Sequence, residues 1–468
     1  MQLKSVLFMV ILIEGFVVLA TELLAMRLLI PFVGAGTNSM AIIIAAVLMP
    51  LAIGYYYGGQ FKTSLGSASF ACKRIRQRLV NNLSKSLIFL SLGLSYVILV
   101  VFFQYLTVIG VQHYLWQTSL YALLFLVAPI YWLGQTVPLV SHYFSHESIS
   151  KITGKMLCFS TVGSFLGAIL TPLVLMGFLG VHHTVIINVM LLFCILKLIA
   201  PKGRSWPLLG GYFALILAVL LNNGMLIKQL GIVSNNAFST IHVWHQPHSR
   251  LMSINHSLSS KIAQNKKNML AYWQWIDKQL IQPIQVGPVK HILVIGSGGF
   301  TIGLQDQHNQ YTFVDVDPAL KPVAEKYFLQ HPLSHNKHFV VAPARRFLHQ
   351  THQHYDAIIL DAFSHLNQVP EQLITRQFFQ TIKQHLKPHG VMLMNSIMSP
   401  NFNDAYSVKL DHTLHQVFPV LSRQVIQSYN LWQAQQPANV LYSFVNHSAF
   451  AHGSYSDLKN SYYRDRHA

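Results

Sequence analysis

The sequence predicts an α-helical multi-pass membrane bundle followed by an α/β domain built on a doubly wound parallel sheet. Three observations carry that expectation. Apolar residues make up 52% of the 468 and charged residues only 10%, at a mean hydropathy of +0.38, where soluble domains carry about a quarter charged residues. The 15 acidic residues are unevenly placed: Glu14, Glu22 and Glu147 stand in the first 227 positions and the other twelve follow. In the second half, short β-branched runs alternate with helical segments, the order of a parallel sheet flanked by helices.

A bilayer core of about 30 Å is crossed by about 20 apolar residues in a helix. Seven stretches qualify: 6–30, 40–58, 87–108, 117–138, 156–178, 181–199 and 207–227. The first follows a single Lys4 and is too long for a simple signal peptide. Basic residues cluster in three connections: Lys62, Lys73, Arg74, Arg76, Arg78 and Lys85; Lys151 and Lys155; Lys197, Lys202 and Arg204. By the positive-inside rule these loops and the N-terminus face the cytoplasm, as in a bacterial inner membrane. Seven crossings from an inside N-terminus would leave residues 228–468 outside, so either one stretch does not cross or the soluble half lies beyond the membrane.

The net charge is +18, from 33 Lys and Arg against 15 acids, but 14 of those cations fall in residues 1–228. Much of the excess is therefore topological signal, and nucleic acid is not an expected partner. Cys72, Cys158 and Cys194 all precede residue 200, without metal-ligand spacing, which excludes a disulfide framework or a zinc ribbon. Twenty of the 25 histidines follow residue 228 with no HExxH pattern. No metal site is expected.

Within the first span, Glu14, Glu22 and Arg27 are costly at membrane depth and need partners or a cavity. Glu22 and Arg27 are five apart, offset by about 140° on a helix, so they are expected to meet other helices rather than each other. They read as a substrate or proton path, or as structural contacts and snorkelling near Pro31. Gly163 and Gly167, four apart, allow close helix packing.

The chain divides into a bundle (1–228), a small β hairpin and helix (236–285), an α/β domain (286–448) and a polar tail (449–468). STIHVWH and RLMSIN alternate apolar and polar residues around QPHS, giving the hairpin over Ser239–Asn255. Helical spacing runs from Lys261 to Leu280. HILVIGSGGF then reads as a buried strand closed by glycines. YTFVDVDP, HFVVAPA, YDAIILDAF and GVMLMNSI supply four more strands, with helices over Ala319–Phe328 and Gln372–Leu386. Ligands in such sheets bind at the carboxyl ends of the strands, where Gly296, Asp315, Pro343 and Asp361 fall. Glycines after the first strand let a ligand approach the backbone, and an acid closing the second can accept both hydroxyls of a ribose. GSGGF lacks the third glycine of the dinucleotide fingerprint, so an adenosyl ligand without phosphates fits better than NAD. Asp317 reads as a turn residue, Arg345 and Arg346 as a solvated helix start, and Tyr272, Trp273 and Trp275 as packing.

The order IGSGG, VDVDP, YDAIILDAFS, VPEQLITRQFF and LKPHGVMLMN resembles the spermidine synthase (polyamine aminopropyltransferase) family, whose members share a class I methyltransferase-like (Rossmann-like) fold behind a small β domain. ATELLAMRLLIPFVG, LAIGYYYGGQ, GQTVPLV and GSFLGAILTPLVLMGFLG resemble its membrane-spanning branch. The resemblance covers roughly residues 10–445. It implies aminopropyl transfer from decarboxylated S-adenosylmethionine, used as a substrate rather than a tightly bound cofactor, to a diamine. The matching ligand-binding positions are Gly296, Gly298, Gly299, Asp315 and Ala344, and Asp361 matches the family's proton acceptor. The implied partners are a polyamine or other amine and the lipid bilayer; a homo-oligomer is compatible with this organisation.

Four positions depart from the family pattern. An aspartate of the glycine loop is Gly299, a glycine-aspartate pair is Ala342-Pro343, an acid after the catalytic aspartate is Ser364, and a glutamine-serine pair is Ser259-Ser260. Two anionic positions that hold cationic amines are thereby lost. Two alternatives follow: a non-catalytic nucleoside- or polyamine-sensing domain on a transporter-like module, or a membrane-associated S-adenosylmethionine-dependent methyltransferase.

Overall fold

The computed structural model describes residues 2–61, 68–144, 149–201, 206–263, 270–363, 369–426 and 437–446. Ser364 and the tail over 449–468 lie outside the described residues. The chain forms two compact units that meet in sequence at Ser259 and Ser260.

The first unit is helical. It runs through α1 (Gln2–Val33), α2 (Thr37–Gly59), α3 (Ala68–Gly93), α4 (Tyr96–Val108), α5 (Tyr114–Tyr121), α6 (Ala128–Gly134), α7 (Thr136–Ser141), α8 (Ile149–Leu170), α9 (Val181–Ile199), α10 (Trp206–Leu221) and α11 (Gly224–Gln229). π-helical turns join α5 to α6 and extend α8 over Thr171–Leu179. Among the described residues, six helical runs are long and apolar enough to cross a membrane, or seven if one bent pair forms a single span. The expected third stretch, 87–108, is that pair: it breaks after Gly93 and bends by 67° before Tyr96. Ser95 there adopts an extended conformation as the N-cap of α4. Seven of its expected residues belong instead to a helix that starts in the basic segment, where Arg76 donates to the carbonyls of Ile199 and Ala200, and Arg78 to the Gln135 side chain.

Glycine sets the closest approach in this unit. A Cβ at Gly163 would overlap the backbone of Leu12, and one at Gly167 would meet Phe16 at 2.7 Å, so α1 and α8 touch backbone to backbone. Arg27, expected to meet other helices, also reaches the strands that follow them. It donates from Nε to the Asn236 carbonyl at 2.7 Å and from Nη2 to Asn235 and Thr240 at 3.2 and 3.1 Å. Those residues join β1 (Ile232–Asn235) to β2 (Thr240–Gln246). The expected hairpin is present as β2 and β3 (Ser249–Ile254), but inside a four-stranded sheet in the order β1-β2-β3-β4. β4 (Ser257–Ala263) takes the first residues of the segment expected to be helical.

The second unit holds α12 (Ala271–Ile276), β5 (His291–Ile295), β6 (Gln310–Asp315), α13 (Leu320–Val323), β7 (Lys337–Val341), α14 (Ala344–Gln350), β8 (Tyr355–Leu360), α15 (Arg376–Gln384), β9 (Leu386–Met398), α16 (Ala405–His415), β10 (Ser422–Val425) and β11 (Ala438–Val445). Its sheet runs β10-β11-β9-β8-β5-β6-β7. The five expected strands, β5 to β9, pair in parallel; β11 and β10 add an antiparallel edge. This is the class I methyltransferase-like order. The central strands are fully buried, from Ile292 to Ile295 and Ala357 to Leu360, because helices cover both faces of a parallel sheet.

Candidate active site

Strand order reverses between β5 and β8, and ligands of open α/β sheets bind in the crevice at such a point. There the chain leaves β5 at Gly296 and β8 at Asp361, whose amide donates to the Ile295 carbonyl at 2.9 Å. Gly296 has φ +93°, and a Cβ on it would overlap the Asp361 carbonyl. Only glycine lets these strand ends lie so close.

The following loop is held from three sides. The Ser297 amide donates to Asp315 Oδ2 at 2.9 Å, the Gly299 amide to Ser260 Oγ at 2.8 Å, and Trp273 Nε1 to the Thr301 carbonyl at 2.6 Å. Gly298 turns the chain at φ +49°. At Gly299 a Cβ would overlap the Phe328 ring and meet Ser260 Cβ at 2.9 Å. The space for an acidic side chain at this position is thus filled, and the segment Gly296–Gly303 carries no acid.

Asp315 ends β6. Its carboxylate accepts from the amides of Ser297 and, at 3.2 Å, Asp317. A carboxylate offers about four acceptor positions, and the Val316 amide also bears on this one. Burial raises its pKa against the lowering effect of those amides. Asp317 accepts from the Ala319 amide at 2.9 Å and so starts the next helix, as its sequence context suggested. Beside β7, Pro343 caps α14 without an amide to donate, and Ala344 is that helix's first residue.

Asp361 is the most strongly built side chain of the site. Oδ2 accepts from the Tyr272 hydroxyl at 3.1 Å and Oδ1 from Asn395 Nδ2 at 2.9 Å. Burial pushes its carboxyl up to about 6, although both hydrogen bonds favour the ionised form. Tyr272 is held well above the ordinary tyrosine value by burial and by Asp361 itself, so it stays a donor. At pH 7 a group of pKa 6 is about tenfold more carboxylate than acid. It is oriented, ionised and ready to take a proton near neutrality, as a general base should be.

The structure therefore brings Gly296, Gly298, Gly299, Asp315 and Asp361 to one end of the sheet. Two residues here were not legible in the sequence. Tyr272 reads as packing because an aromatic pattern does not reveal where its hydroxyl ends, and Asn395 is a single polar residue inside the apolar run of β9. Arg345 is a correction: it is not simply solvated, since Nε donates to the Gln372 carbonyl at 2.7 Å and the guanidinium lies 5.4 Å from the Phe378 ring centre.

Part of the chain is similar to known proteins. Residues 282–433 match the profile of the family described as spermine/spermidine synthase domain. A polyamine aminopropyltransferase 2 of Hyperthermus butylicus is 31% identical over 172 residues, which cover 34% of this chain and 56% of that protein. A polyamine aminopropyltransferase of Vibrio vulnificus is 34% identical over 122 residues, covering 25% and 40%. The chain thus spans about half the length of these curated relatives. A crystal structure of a probable spermidine synthase from Corynebacterium glutamicum superposes with a TM-score of 0.40 at 20% identity, covering 46% of this chain and 80% of that one. Residues 282–433, within the second unit, are thus similar to the spermine/spermidine synthase domain.

Proposed function

We propose that the chain is a membrane-anchored aminopropyltransferase that uses decarboxylated S-adenosylmethionine, with Asp361 as the proton acceptor. The observation that carries this reading is the Tyr272–Asp361–Asn395 arrangement beside the glycine loop of a spermine/spermidine synthase domain. The acceptor amine attacks the propyl carbon next to the sulfonium. The new C–N bond forms as the C–S bond breaks, and its electron pair stays on sulfur, leaving a neutral thioether nucleoside. The proton lost by the amine passes to Asp361 and from there to solvent. Asp315 holds the ribose hydroxyls, and Gly296 and Gly298 let the nucleoside lie against the backbone.

The filled space at Gly299 removes a carboxylate that would hold a cationic tail. A hydrogen bond to a charged group contributes about 1.5–3 kcal/mol, so weak binding of the amine is expected. The same feature supports a second reading, a nucleoside-sensing domain that no longer turns over; binding of the nucleoside without product would select it.

Asp361 sets the pH response. Because its proton-accepting form is the carboxylate, kcat/KM for the adenosyl substrate should rise with pH through about 6 and then level off. Tyr272→Phe removes a bond that favours the ionised form, so the acid limb should move to higher pH. A pH–rate profile in which the limb stays in place would separate Tyr272 from the base.

Membrane anchoring rests on the apolar runs of the first unit. Counting the bent pair as re-entrant leaves six crossings, and an even number returns the second unit to the side of the N-terminus and of Arg74, Arg76 and Arg78, taken as cytoplasmic; the connections next to Lys151 and Lys197 then face the other side, against the positive-inside tendency. Cytosolic substrate then reaches the site. Paired reporters fused to the C-terminus, each active on one side only, test this. Cytoplasmic signal is expected; signal from outside would remove the enzyme from its substrate and overturn the reading.

A further inference from the structure

Glu14 stands in the middle of α1 and is 1% exposed, and its Oε2 has no hydrogen-bond partner. Among the described residues no Lys or Arg forms an ion pair with it. A buried carboxylate is strongly disfavoured unless something pairs with it. The aminopropyl-transfer reading uses none of its chemistry.

Glu14 is not isolated. Tyr55 of α2 lies within electrostatic reach of it and shares a hydrogen bond with Ser160 of α8. Ser164 Oγ donates to the carbonyl of Gly15, at the glycine seam between α1 and α8. Seven residues further along α1 stands Thr21, two turns on and on the same face, about 10 Å away along the axis. It accepts from Asn188 Nδ2 at 2.9 Å. Eleven residues beyond Ser160, on the same face of its helix, Thr171 opens the π-helical segment, a backbone form that recurs at functional sites. Thr21, Asn188 and Thr171 are 0%, 2% and 0% exposed, and both Asn188 Oδ1 and Thr171 Oγ1 lack partners.

Three buried oxygen atoms that can accept hydrogen bonds, one of them on a carboxylate, stand on α1, α9 and the π-helical extension of α8, which pack against one another. Their complement is a positively charged group with several N–H donors, and an ammonium carries three. We propose that the helical unit binds a protonated amine, with Glu14 as its counter-ion and the Thr21–Asn188–Thr171 set as a second station, and that the unit moves amines across the membrane. The proposal rests on the unit spanning a bilayer but not on the transfer chemistry.

The test uses the full chain in lipid vesicles, with labelled putrescine and labelled ethylammonium as probes. Uptake above protein-free vesicles is expected. Glu14→Gln, isosteric and uncharged, should lower it by about 10–100-fold, the value of a lost charge-assisted contact. Thr171→Val should lower it by less, and Asp361→Asn should leave it unchanged. Each variant is compared at equal melting temperature, and Thr171→Val keeps the proposal testable if Glu14→Gln does not fold. Uptake equal in wild type and Glu14→Gln, no uptake above the control in a protein whose helices span the bilayer, or proton flux without amine movement would each overturn it.

Discussion

Asparagine at position 361 is expected to remove turnover and to spare nucleoside binding. A positioned general base contributes about 10²–10⁴-fold in rate, and the amide cannot accept the proton of the attacking amine. Binding should survive because the proposed nucleoside contacts lie elsewhere, on the glycine loop and Asp315. The variant should also be at least as stable as the wild type. Burial raises the Asp361 pKa to about 6, so the ionised carboxyl destabilises the fold at neutral pH, and an uncharged amide of the same shape avoids that cost while Asn395 can still donate to it. Steady-state kinetics, a titration with methylthioadenosine and a thermal melt read the three expectations together. Turnover near the wild-type rate would remove Asp361 from the mechanism.

The second large effect is expected at Gly296. Alanine there must adopt φ +93° and places a Cβ against the Asp361 carbonyl. A side chain in the left-handed region costs about 1–2 kcal/mol and overpacking about 1–3 kcal/mol. Together these lower the stability of the second unit by about 2–5 kcal/mol, or about 4–20 °C in melting temperature for a unit of this size. Activity should fall as well, because relief of the overlap displaces the backbone that carries Asp361. A melt and an assay on Gly296→Ala check both, and an unchanged melting temperature would mean that β5 and β8 end further apart than described.

The sequence made the sheet legible because its evidence is local. HILVI, YTFVD and AIIL are short apolar runs that only a doubly covered parallel strand explains, and the glycines and aspartates close them at the ends where ligands bind. The antiparallel edge was not legible: SRQV, the segment of β10, has no apolar run, and β11 acquires its neighbours only through the folded register. In the site, Gly296, Asp315 and Asp361 could be named because their position follows from strand ends. Tyr272 and Asn395 could not, since each reaches Asp361 across a long stretch of chain, 89 and 34 residues apart. In the helical unit the apolar runs were plain, but hydropathy does not register a bend such as that between Gly93 and Tyr96.

Product analysis tests the central claim most directly. The full-length protein, kept in native membranes or detergent, is incubated with decarboxylated S-adenosylmethionine and putrescine, and products are followed by mass. Equal amounts of methylthioadenosine and of an amine heavier by one aminopropyl group, both absent with Asp361→Asn, are the predicted result. Nucleoside bound at the site with neither product formed would contradict aminopropyl transfer.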